Sequence, residues 1–360
     1  MTEKLEKLRM EIDGIDAQIV KLLDQRAAAA LRVGEYKKSN NMRLYVPERE
    51  KQVIERLARL SAGEFPDRAL KQIYGEIIAT CLNLEKPLEV AYLGPEATFT
   101  HSAALKQFGR AGTFLSYESV DEVFESVERR EADFGVVPIE NSQEGAVRHT
   151  LDRFLESELV ISSESYLPVE LCLLGRMGKL EEIQLLASHR QAFSQAKNWL
   201  EGNLRDIATR EVSSTARAAK LAAKESGVGA LASPVAADIY GLDILARRVE
   251  DRVDNHTRFL VIGREPAEPT GDDKTSLAFS LKDRSGALYE ILEPFGRLNI
   301  NMTKIESRPA KSKTWDYIFF VDFLGHQQEE KIQELLKILE AETPFFKILG
   351  SYPREEPFDE

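Results

Sequence analysis

Apolar side chains recur at every third or fourth position through residues 3–85. This spacing places them on one face of a helix, and those of the first predicted helix are Leu5, Leu8, Ile12, Ile15, Ile19, Leu22 and Leu23. Because proline suits the first turn of a helix, we predict a second helix from near Pro47 and a third from near Pro66. The first helix, about 35 residues long, would span roughly 50 Å. Two short partners cannot cover that length, so we expect it to pack against another chain.

From Leu88 the pattern changes to short apolar runs separated by helical segments. The runs that we predict as strands are VAYLG, FGVVPIE, VELCLLG, IQLLASH, GVGALAS and RFLVIG. Their alternation with helices predicts a largely parallel α/β sheet.

The linker REPAEPTGDD, rich in proline and acidic residues, marks a boundary after this segment. Beyond it, two predicted helices (286–297 and 328–340) stand among four strands in the order βαββαβ, which is typical of a ferredoxin-like domain. The chain is therefore predicted to contain an all-helical domain (1–87), an α/β domain (88–264) and a ferredoxin-like domain (275–353).

Composition constrains location and partners. The 360 residues are 43% hydrophobic and 30% charged, with a net charge of −12, and this acidity argues against nucleic acids and anionic membranes as partners. No apolar run approaches the roughly 18 residues of a membrane span. The N-terminal segment is charged, so we expect a cytoplasmic protein.

The two cysteines, Cys81 and Cys172, form no CxxC pair and no cluster with histidine, so we expect neither a disulfide nor a metal site.

The spacing of four cations in the helical segment bears on function; they are Arg9, Arg26, Lys37 and Arg49. Arg26 and Lys37 are 11 residues apart, which leaves them within roughly 20° on one helix face and about 16 Å apart. They could hold a small dianion between them, whereas most cations on amphipathic helices are solvated surface charges. Arg9 lies about 25 Å from Arg26 along the helix, so only another subunit could bring it to the same ligand.

The segment LRMEIDGIDAQIVKLLDQRAAAALRVGEYK, followed by YVPERE, resembles the all-helical chorismate mutases. The resemblance implies an intertwined homodimer, or a higher homo-oligomer, that rearranges chorismate to prephenate. It implies that Arg9 comes from the partner subunit, that Arg26 and Arg49 bind carboxylates, and that Lys37 and Glu50 meet the ether oxygen and hydroxyl.

Three positions differ from the usual mutase pattern. Glu85 stands where glutamine is common, and Val46 and Cys81 stand where bacterial relatives have polar residues. An ionised Glu85 cannot donate a hydrogen bond to the ether oxygen of the substrate, whereas a protonated one can. We therefore expect Glu85 to act in catalysis, mutase activity to fall as pH rises and Glu85 ionises, and Glu85→Gln to flatten that dependence.

The stretch GVVPIENSQEG (135–145) joins an apolar run to a group of polar residues. Proline cannot continue a sheet ladder, so we predict that the strand ends at Pro138. Glu140, Asn141 and Ser142 would then lie beyond the carboxyl end of a strand, where α/β proteins bind ligands. The alternative is a solvated turn closed by an asparagine side chain.

Three further polar clusters, GPEATFTHSAA, HRQAF and VSSTARAA, follow predicted strands, and NHTRF leads into the last one. Singly, each fits a turn, a helix cap or an exposed helical residue. Together with PIENS they resemble prephenate dehydratase over roughly Leu88–Gly263. The resemblance implies two α/β lobes like those of periplasmic binding proteins, joined by chain crossings near residues 168 and 255, with the active site in the cleft between them.

This resemblance also implies residue roles. Prephenate would lose its ring hydroxyl and, as CO2, its ring carboxylate, which calls for a proton donor at the hydroxyl. Thr257 is implied as that donor, with Glu140, Asn141 and Gln195 as the other catalytic residues. The residues implied in substrate binding or support of the site are Thr98, Ser214, Thr215 and Arg258. No cofactor is expected. The family commonly has glycine at Ala97, and alanine there matters only if its φ is positive.

The stretches DRSGALYEIL and TKIESRP resemble the signatures of ACT regulatory domains. A helix start at a glycine offers free N–H groups to a carboxylate, and the resemblance implies phenylalanine as an effector that favours one of two conformations. The residues implied in phenylalanine binding are Gly286, Ala287, Leu288, Glu306, Ser307 and Arg308. The alternative is a packing domain that only extends the dimer.

The three resemblances together imply a bifunctional enzyme that converts chorismate through prephenate to phenylpyruvate under control by phenylalanine. Two alternatives stay open at this point. One is a dehydratase whose helical segment is only a dimerisation arm, and the other is a non-catalytic amino-acid sensor.

Overall fold

The computed structural model describes residues 2–40, 42–43, 45–61, 63–252, 254–281, 284–309 and 317–356. The packing of the chain defines two compact units. The first comprises Met1–Leu88 with Phe108–Thr113, and the second comprises Glu89–Gln107 with Phe114–Glu360. The first unit is helical and the second carries the three sheets.

The helices of the first unit are α1 (Thr2–Ser39), α2 (Pro47–Leu60) and α3 (Asp67–Glu85). The predicted helix starts near Pro47 and Pro66 are confirmed, since Pro47 is the first residue of α2 and Pro66 precedes α3. Helix α1 has 38 residues, which makes it about 57 Å long. Many of its apolar side chains are exposed in the single chain, among them Leu5, Leu8, Ile12, Ile15, Ile19 and Leu22.

The second unit begins with a lobe built on one sheet. Its elements are β1 (Glu89–Leu93), α4 (Phe99–Phe108), β2 (Thr113–Tyr117), α5 (Val120–Glu128), β3 (Phe134–Asn141), β4 (Gly145–Ala146), α6 (Arg148–Glu156) and β5 (Val160–Pro168), with a late strand, β11 (His256–Gly263). The strand order is β2-β1-β3-β11-β5, and β4 pairs with β3. Strand β1 runs parallel to β3, whereas β11 runs antiparallel to both of its neighbours.

The chain leaves this lobe after Pro168 and returns at His256, and these two residues are opposite each other in the β5–β11 ladder. Between them lies a second lobe. Its elements are β6 (Cys172–Gly175), a 3-10 turn (Leu180–Glu182), β7 (Leu185–Ser188), α7 (Arg190–Gln195), α8 (Lys197–Asn203), β8 (Ala208–Glu211), α9 (Thr215–Ala222), β9 (Val228–Ala232), α10 (Pro234–Tyr240) and β10 (Asp243–Ala246). Its sheet has the order β10-β6-β9-β7-β8.

Two expectations about these sheets are wrong. Neither sheet is largely parallel, because β11 in the first lobe and β6 and β10 in the second pair antiparallel. Pro138 does not end β3, which continues to Asn141. The ladder to β11 shifts between Arg258 and Phe259, so Ile139 is the extra residue of a bulge, and a bulge is where a sheet tolerates proline.

The C-terminal part of the second unit has the predicted βαββαβ order. Its elements are β12 (Asp273–Ser280), α11 (Ala287–Arg297), β13 (Met302–Pro309), β14 (Tyr317–Leu324), α12 (Glu330–Glu342) and β15 (Phe345–Pro353), and the strand order is β13-β14-β12-β15. One face of this sheet packs on its two helices through a core that includes Phe279, Phe295, Phe323 and Leu335.

The other face of that sheet packs against the first lobe. Ala278, Phe320 and Tyr352 belong to the same buried cluster as Ile161 and Leu260 of the first lobe. This sheet and the first lobe therefore share one core, and their relative placement is set by buried side chains. No helix in the described ranges is long and apolar enough to cross a membrane.

Candidate active sites

In the helical unit, α1 and α3 meet closely at Gly34. A Cβ built on Gly34 would lie 2.8 Å from Cβ and 3.2 Å from Cα of Glu85, so only glycine lets the two backbones approach this far. One turn along α1, Lys37 Nζ lies 3.3 Å from Glu85 Oε2, and the two side chains are 19% and 9% exposed. The structure thus brings together two residues predicted to act in the mutase, and the donor role of Glu85 stays a prediction.

The other predicted mutase residues are spread along α1 and α2. Arg26 Nη1 donates to the Ile77 carbonyl oxygen of α3 at 3.4 Å, so Arg26 lies on the face of α1 that meets α3. On α2, Arg49 is exposed and Glu50 is half-buried. Arg9 is exposed on the same uninterrupted helix as Arg26, so the structure does not bring these two arginines together within one chain.

In the first lobe, the PIENS and NHTRF stretches pair as neighbouring strands. Thr257 lies opposite Asn141 and Arg258 opposite Glu140. Asn141 Nδ2 donates to Thr257 Oγ1 at 2.9 Å and to Asn255 Oδ1 at 2.8 Å. Strand pairing therefore unites the hydroxyl and the amide, which lie 116 residues apart in sequence.

The orientation of the Asn141 amide follows from its other contacts. Its Oδ1 accepts the backbone N–H groups of Gln143 and Glu144 at 3.0 and 3.2 Å. Backbone N–H groups can only donate, so this end is the oxygen and the end facing Thr257 is the NH2 group. Thr257 Oγ1 is therefore an acceptor toward Asn141. Its own hydrogen has no acceptor in the described part of the chain and is left for a ligand.

The turn after β3 contains the hydrogen bond offered as the alternative for this stretch, from Gln143 N–H to Asn141 Oδ1. The same asparagine also bonds Thr257, so the turn is compatible with a site here, which stays a prediction. Ser142 holds the turn to β11, since its N–H donates to the His256 carbonyl at 2.8 Å and its Oγ accepts the His256 N–H at 3.0 Å.

Glu140 has a partner from the C-terminal domain. Lys304 Nζ of β13 lies 2.6 Å from Glu140 Oε2, and the lysine and glutamate side chains are 15% and 37% exposed. The sequence analysis missed this lysine, which stands in the TKIESRP stretch. The available signal was the alternation of that strand, in which every second residue from Met302 to Arg308 is half-buried.

Arg258 was expected to bind an anion or to support the site. Its guanidinium is buried and donates to Glu164 Oε2 at 2.8 Å, to Asp322 Oδ2 and to the Tyr352 hydroxyl at 2.9 Å. Lys274 Nζ donates to both oxygens of Glu164, at 2.7 and 2.9 Å. These protein groups occupy the guanidinium, so Arg258 joins the first lobe to the C-terminal domain rather than facing an open anion site.

The network of Arg258, Glu164, Lys274 and Asp322 contains two positive and two negative groups. Burial disfavours the ionised form of Asp322, but the charge of Arg258 and a hydrogen bond from Ser276 outweigh it and lower the pKa of Asp322. Burial also lowers the pKa of Lys274, and the nearby Glu164 offsets part of that effect. The two buried positive charges are thus balanced by two buried negative charges.

The predicted carboxylate-binding hydroxyls lie at helix N-termini. Thr98 Oγ1 and Ser214 Oγ each accept the backbone N–H three residues further on, at 3.3 and 3.1 Å. Both hydroxyls therefore cap a helix, α4 and α9 respectively, and Thr215 is the first residue of α9. Ala97, just before Thr98, has a φ of +69° and is fully buried, which is the conformation in which alanine is strained relative to glycine.

Helix α7 brings the HRQAF stretch of the second lobe to the turn after β3. Gln191 Nε2 donates to Glu144 Oε1 across the cleft. Gln195 is four residues along α7 and therefore lies on the same helix face as Gln191. Its side chain is half-buried.

Two stretches of the C-terminal domain carry the predicted regulatory residues. Gly286 precedes α11 with a φ of +81°, Ala287 is buried and Leu288 is half-buried. On β13, Glu306 is half-buried and Ser307 is exposed.

Arg308 departs from its predicted place in the effector site. Its Nη1 lies 2.6 Å from Asp152 Oδ1 and 2.7 Å from the Arg148 carbonyl oxygen of α6. The side chain is 16% exposed. These contacts hold the guanidinium against the first lobe, where it is committed to protein groups rather than to a free amino acid.

Comparison with known proteins agrees with this architecture. Three family models match the chain: Chorismate mutase type II at residues 8–86, Prephenate dehydratase at residues 90–267 and ACT domain at residues 275–341. The bifunctional chorismate mutase/prephenate dehydratase of Aquifex aeolicus is 49% identical over 356 residues, 98% of each chain. That of Pseudomonas aeruginosa is 42% identical over 358 residues, again 98% of each chain.

A solved structure covers the second unit. The prephenate dehydratase of Arthrobacter aurescens, in complex with L-Phe, has 34% sequence identity and a TM-score of 0.68, covering 74% of this chain and 90% of that chain. All three predicted domain types are thereby identified: the helical mutase, the two-lobed dehydratase with a periplasmic-binding-protein-like fold, and the ACT domain. The chain belongs to the family of bifunctional chorismate mutase/prephenate dehydratases.

Proposed function

We propose that the dehydratase step takes place at Thr257, with Glu140, Asn141 and Gln195 as the other catalytic residues. In this step the bonds from the ring to the carboxylate and to the hydroxyl break. The electron pair of the first bond completes the aromatic ring, the carboxylate leaves as CO2, and the hydroxyl leaves as water after taking up a proton. A threonine hydroxyl is a weak acid, so Thr257 acts as a hydrogen-bond donor to the departing oxygen.

The observation that carries this proposal is the hydrogen bond from the Asn141 amide to Thr257 Oγ1. It fixes the threonine oxygen as an acceptor on one side and leaves its hydrogen for the substrate. Thr98, Ser214 and Thr215 lie at helix N-termini, whose N–H groups favour anions. We assign these positions to the substrate carboxylates.

The test compares Thr257→Ala with Thr257→Ser. Purified protein receives chorismate or prephenate, and prephenate and phenylpyruvate are followed separately. Loss of a positioned hydrogen donor is expected to lower dehydratase kcat by about 100-fold or more in Thr257→Ala, while the serine variant, which keeps the hydroxyl, retains much of the activity. Mutase activity should stay at the wild-type level in both. Full dehydratase turnover in Thr257→Ala would contradict the assignment.

We further propose that the mutase works as a homodimer, in which Arg9 of the partner subunit joins Arg26, Lys37, Arg49, Glu50 and Glu85. Two features support this: the exposed apolar side chains along α1, and the separation of Arg9 from Arg26 on one continuous helix. The rearrangement of chorismate to prephenate transfers no proton, so positioned charges carry the catalysis, each worth about 2.7 to 4 kcal/mol in the transition state.

Mixing two inactive variants tests the shared site. Arg9→Ala and Arg26→Ala are expected to lack mutase activity alone. After unfolding and refolding together, half of the dimers are mixed and one of their two sites is intact, so activity should recover to about a quarter of wild type. No recovery, with mixed dimers demonstrated by differently tagged chains, would contradict a site shared between subunits.

Phenylalanine is the proposed effector, bound at the helix start after Gly286 and along β13 at Glu306 and Ser307. The support is the N-terminus of α11, where, among the described residues, a Cβ at Gly286 would contact only the tip of Glu290, at 3.9 Å.

We also propose a cytoplasmic location. Cys81 and Cys172 are buried free thiols, a state that a reducing compartment maintains.

A further inference from the structure

Strand β13, which carries the TKIESRP stretch, presents its alternate residues to different surroundings. Lys304 and Arg308 are half-buried, whereas Thr303, Ile305 and Ser307 are exposed. Side chains two and four residues apart in a strand share a face. The two cations are therefore on one face of β13, roughly 13 Å apart along the strand.

Both cations contact one continuous segment of the dehydratase lobe. Lys304 pairs with Glu140 at 2.6 Å, and Arg308 pairs with Asp152 at 2.6 Å. Glu140 lies near the end of β3 and Asp152 lies on α6, and the turn between these elements begins with Asn141. The strand thus holds at two points the segment that includes the proposed catalytic glutamate and asparagine.

We propose that Lys304 is a positioning residue of the dehydratase, supplied by the ACT domain, and that the Lys304–Glu140 pair carries the effect of phenylalanine to the active site. The proposal rests on the proposed function of Glu140. Lys304 would then be a part of the active site that lies outside the dehydratase lobe. The coupling between phenylalanine binding and dehydratase activity would depend on this one contact.

The physical basis is the unequal exposure of the two partners. The Glu140 side chain is 37% exposed, whereas the Lys304 side chain is only 15% exposed. A charge-assisted bond from a largely desolvated lysine fixes one carboxylate oxygen. The geometry of the carboxylate then depends on the position of β13, which the dehydratase lobe alone does not determine.

The same contact explains how a ligand on the ACT domain can act at a distance. Glu306 and Ser307 are within three residues of Lys304, so a ligand that moves this part of β13 also moves the ammonium relative to Glu140. If the pair transmits inhibition, its removal must both impair catalysis and weaken inhibition.

The experiment compares Lys304→Met with Lys347→Met. Lys347 is a second lysine that reaches from the ACT domain to the dehydratase lobe, where its Nζ donates to the Ser157 carbonyl at 2.6 Å, and it has no part in the proposed sites. Lys304→Met is expected to lower dehydratase kcat by about 10- to 100-fold and to abolish most inhibition by phenylalanine. Lys347→Met should retain kcat within about twofold, together with normal inhibition.

Glu140→Gln and the double variant that combines it with Lys304→Met complete a double-mutant cycle. If Lys304 acts through Glu140, Lys304→Met has little further effect in the Glu140→Gln background. Amide hydrogen exchange provides a readout that is independent of turnover. The backbone amides of residues 139–147 should exchange faster than wild type in Lys304→Met and at the wild-type rate in Lys347→Met.

The outcomes separate this inference from the proposed function. If wild type forms no phenylpyruvate from prephenate, the proposed function fails. If wild type is active and Lys304→Met keeps wild-type kcat, inhibition and exchange, only the positioning role of Lys304 fails. An increased kcat in Lys304→Met would also overturn it, because the pair would then restrain Glu140 rather than position it.

Discussion

Replacing Arg258 with methionine should destabilise the second unit severely. The guanidinium donates hydrogen bonds to Glu164, Asp322 and Tyr352, all buried. Without it, two carboxylates share the single charge of Lys274, and one buried negative charge has no partner. Removing one partner of a buried ion pair costs about 3 to 5 kcal/mol. At a urea slope of about 3 kcal/mol/M, the unfolding midpoint should fall by roughly 1 to 1.7 M.

The assay is urea unfolding followed by near-ultraviolet circular dichroism, to which Tyr352 and Tyr166 of the network region contribute. Arg129→Met is the control, because Arg129 pairs with Glu125 on the surface with its side chain 65% exposed. That pair is worth about 0.5 kcal/mol or less, which is a shift below about 0.2 M. Mutase activity belongs to the other unit and should survive in both variants. Equal midpoints for Arg258→Met and Arg129→Met would refute the structural role of the network.

Three further predictions concern other parts of the chain. Gly34→Ala should lower mutase kcat about 10-fold or more, because its Cβ would lie 3.2 Å from the Glu85 backbone, and unchanged mutase kinetics would contradict the close approach of α1 and α3. Folding lowers the pKa of the Asp322 carboxyl. The ionised carboxylate therefore stabilises the folded protein above its unfolded-state pKa of about 3.9, and this stabilisation is lost as pH falls through the lower folded-state pKa. The difference in urea midpoint between wild type and Asp322→Asn should therefore shrink below about pH 4, and a constant difference from pH 7 to pH 3 would contradict the ionised network. Gly286→Val should relieve phenylalanine inhibition without loss of dehydratase kcat. Gly286→Asn should do the same, and asparagine tolerates the positive φ of this position. Full sensitivity to phenylalanine in the asparagine variant would count against this effector site.

The features that sequence reasoning predicted well depend on local chemistry. The helix starts at Pro47 and Pro66 and the βαββαβ order follow from short-range patterns. The end of β3 was mispredicted at Pro138 because the proline is accommodated by a bulge at the next residue, Ile139, which forms only where β3 pairs with the distant strand β11. Five strands, β2, β4, β5, β8 and β10, escaped prediction. Strand β5 shows why, since its polar stretch is buried only because the C-terminal sheet covers it.

The same limit applies to the candidate site. Thr257 and Asn141 were both named as site residues because each stands in a recognisable motif, and the pairing of β3 with β11 brings them together. The partners of Arg258 were not predictable, since Glu164 and Asp322 are 94 and 64 residues away in sequence and stand in no motif. Asn255 and Lys304 were missed although both lie within quoted stretches, because their importance depends on which side chain they meet in space.

The central claim is that Asn141 directs the Thr257 hydrogen to the substrate, and Asn141→Asp tests it most directly. An ionised aspartate cannot donate, so it would accept the threonine hydrogen and withdraw it from the substrate. Dehydratase kcat is the measurement, with mutase kcat and the urea midpoint as checks on folding. We expect dehydratase kcat to fall by about 100-fold or more, with prephenate binding largely retained. A folded Asn141→Asp enzyme with more than about a tenth of wild-type kcat would contradict it.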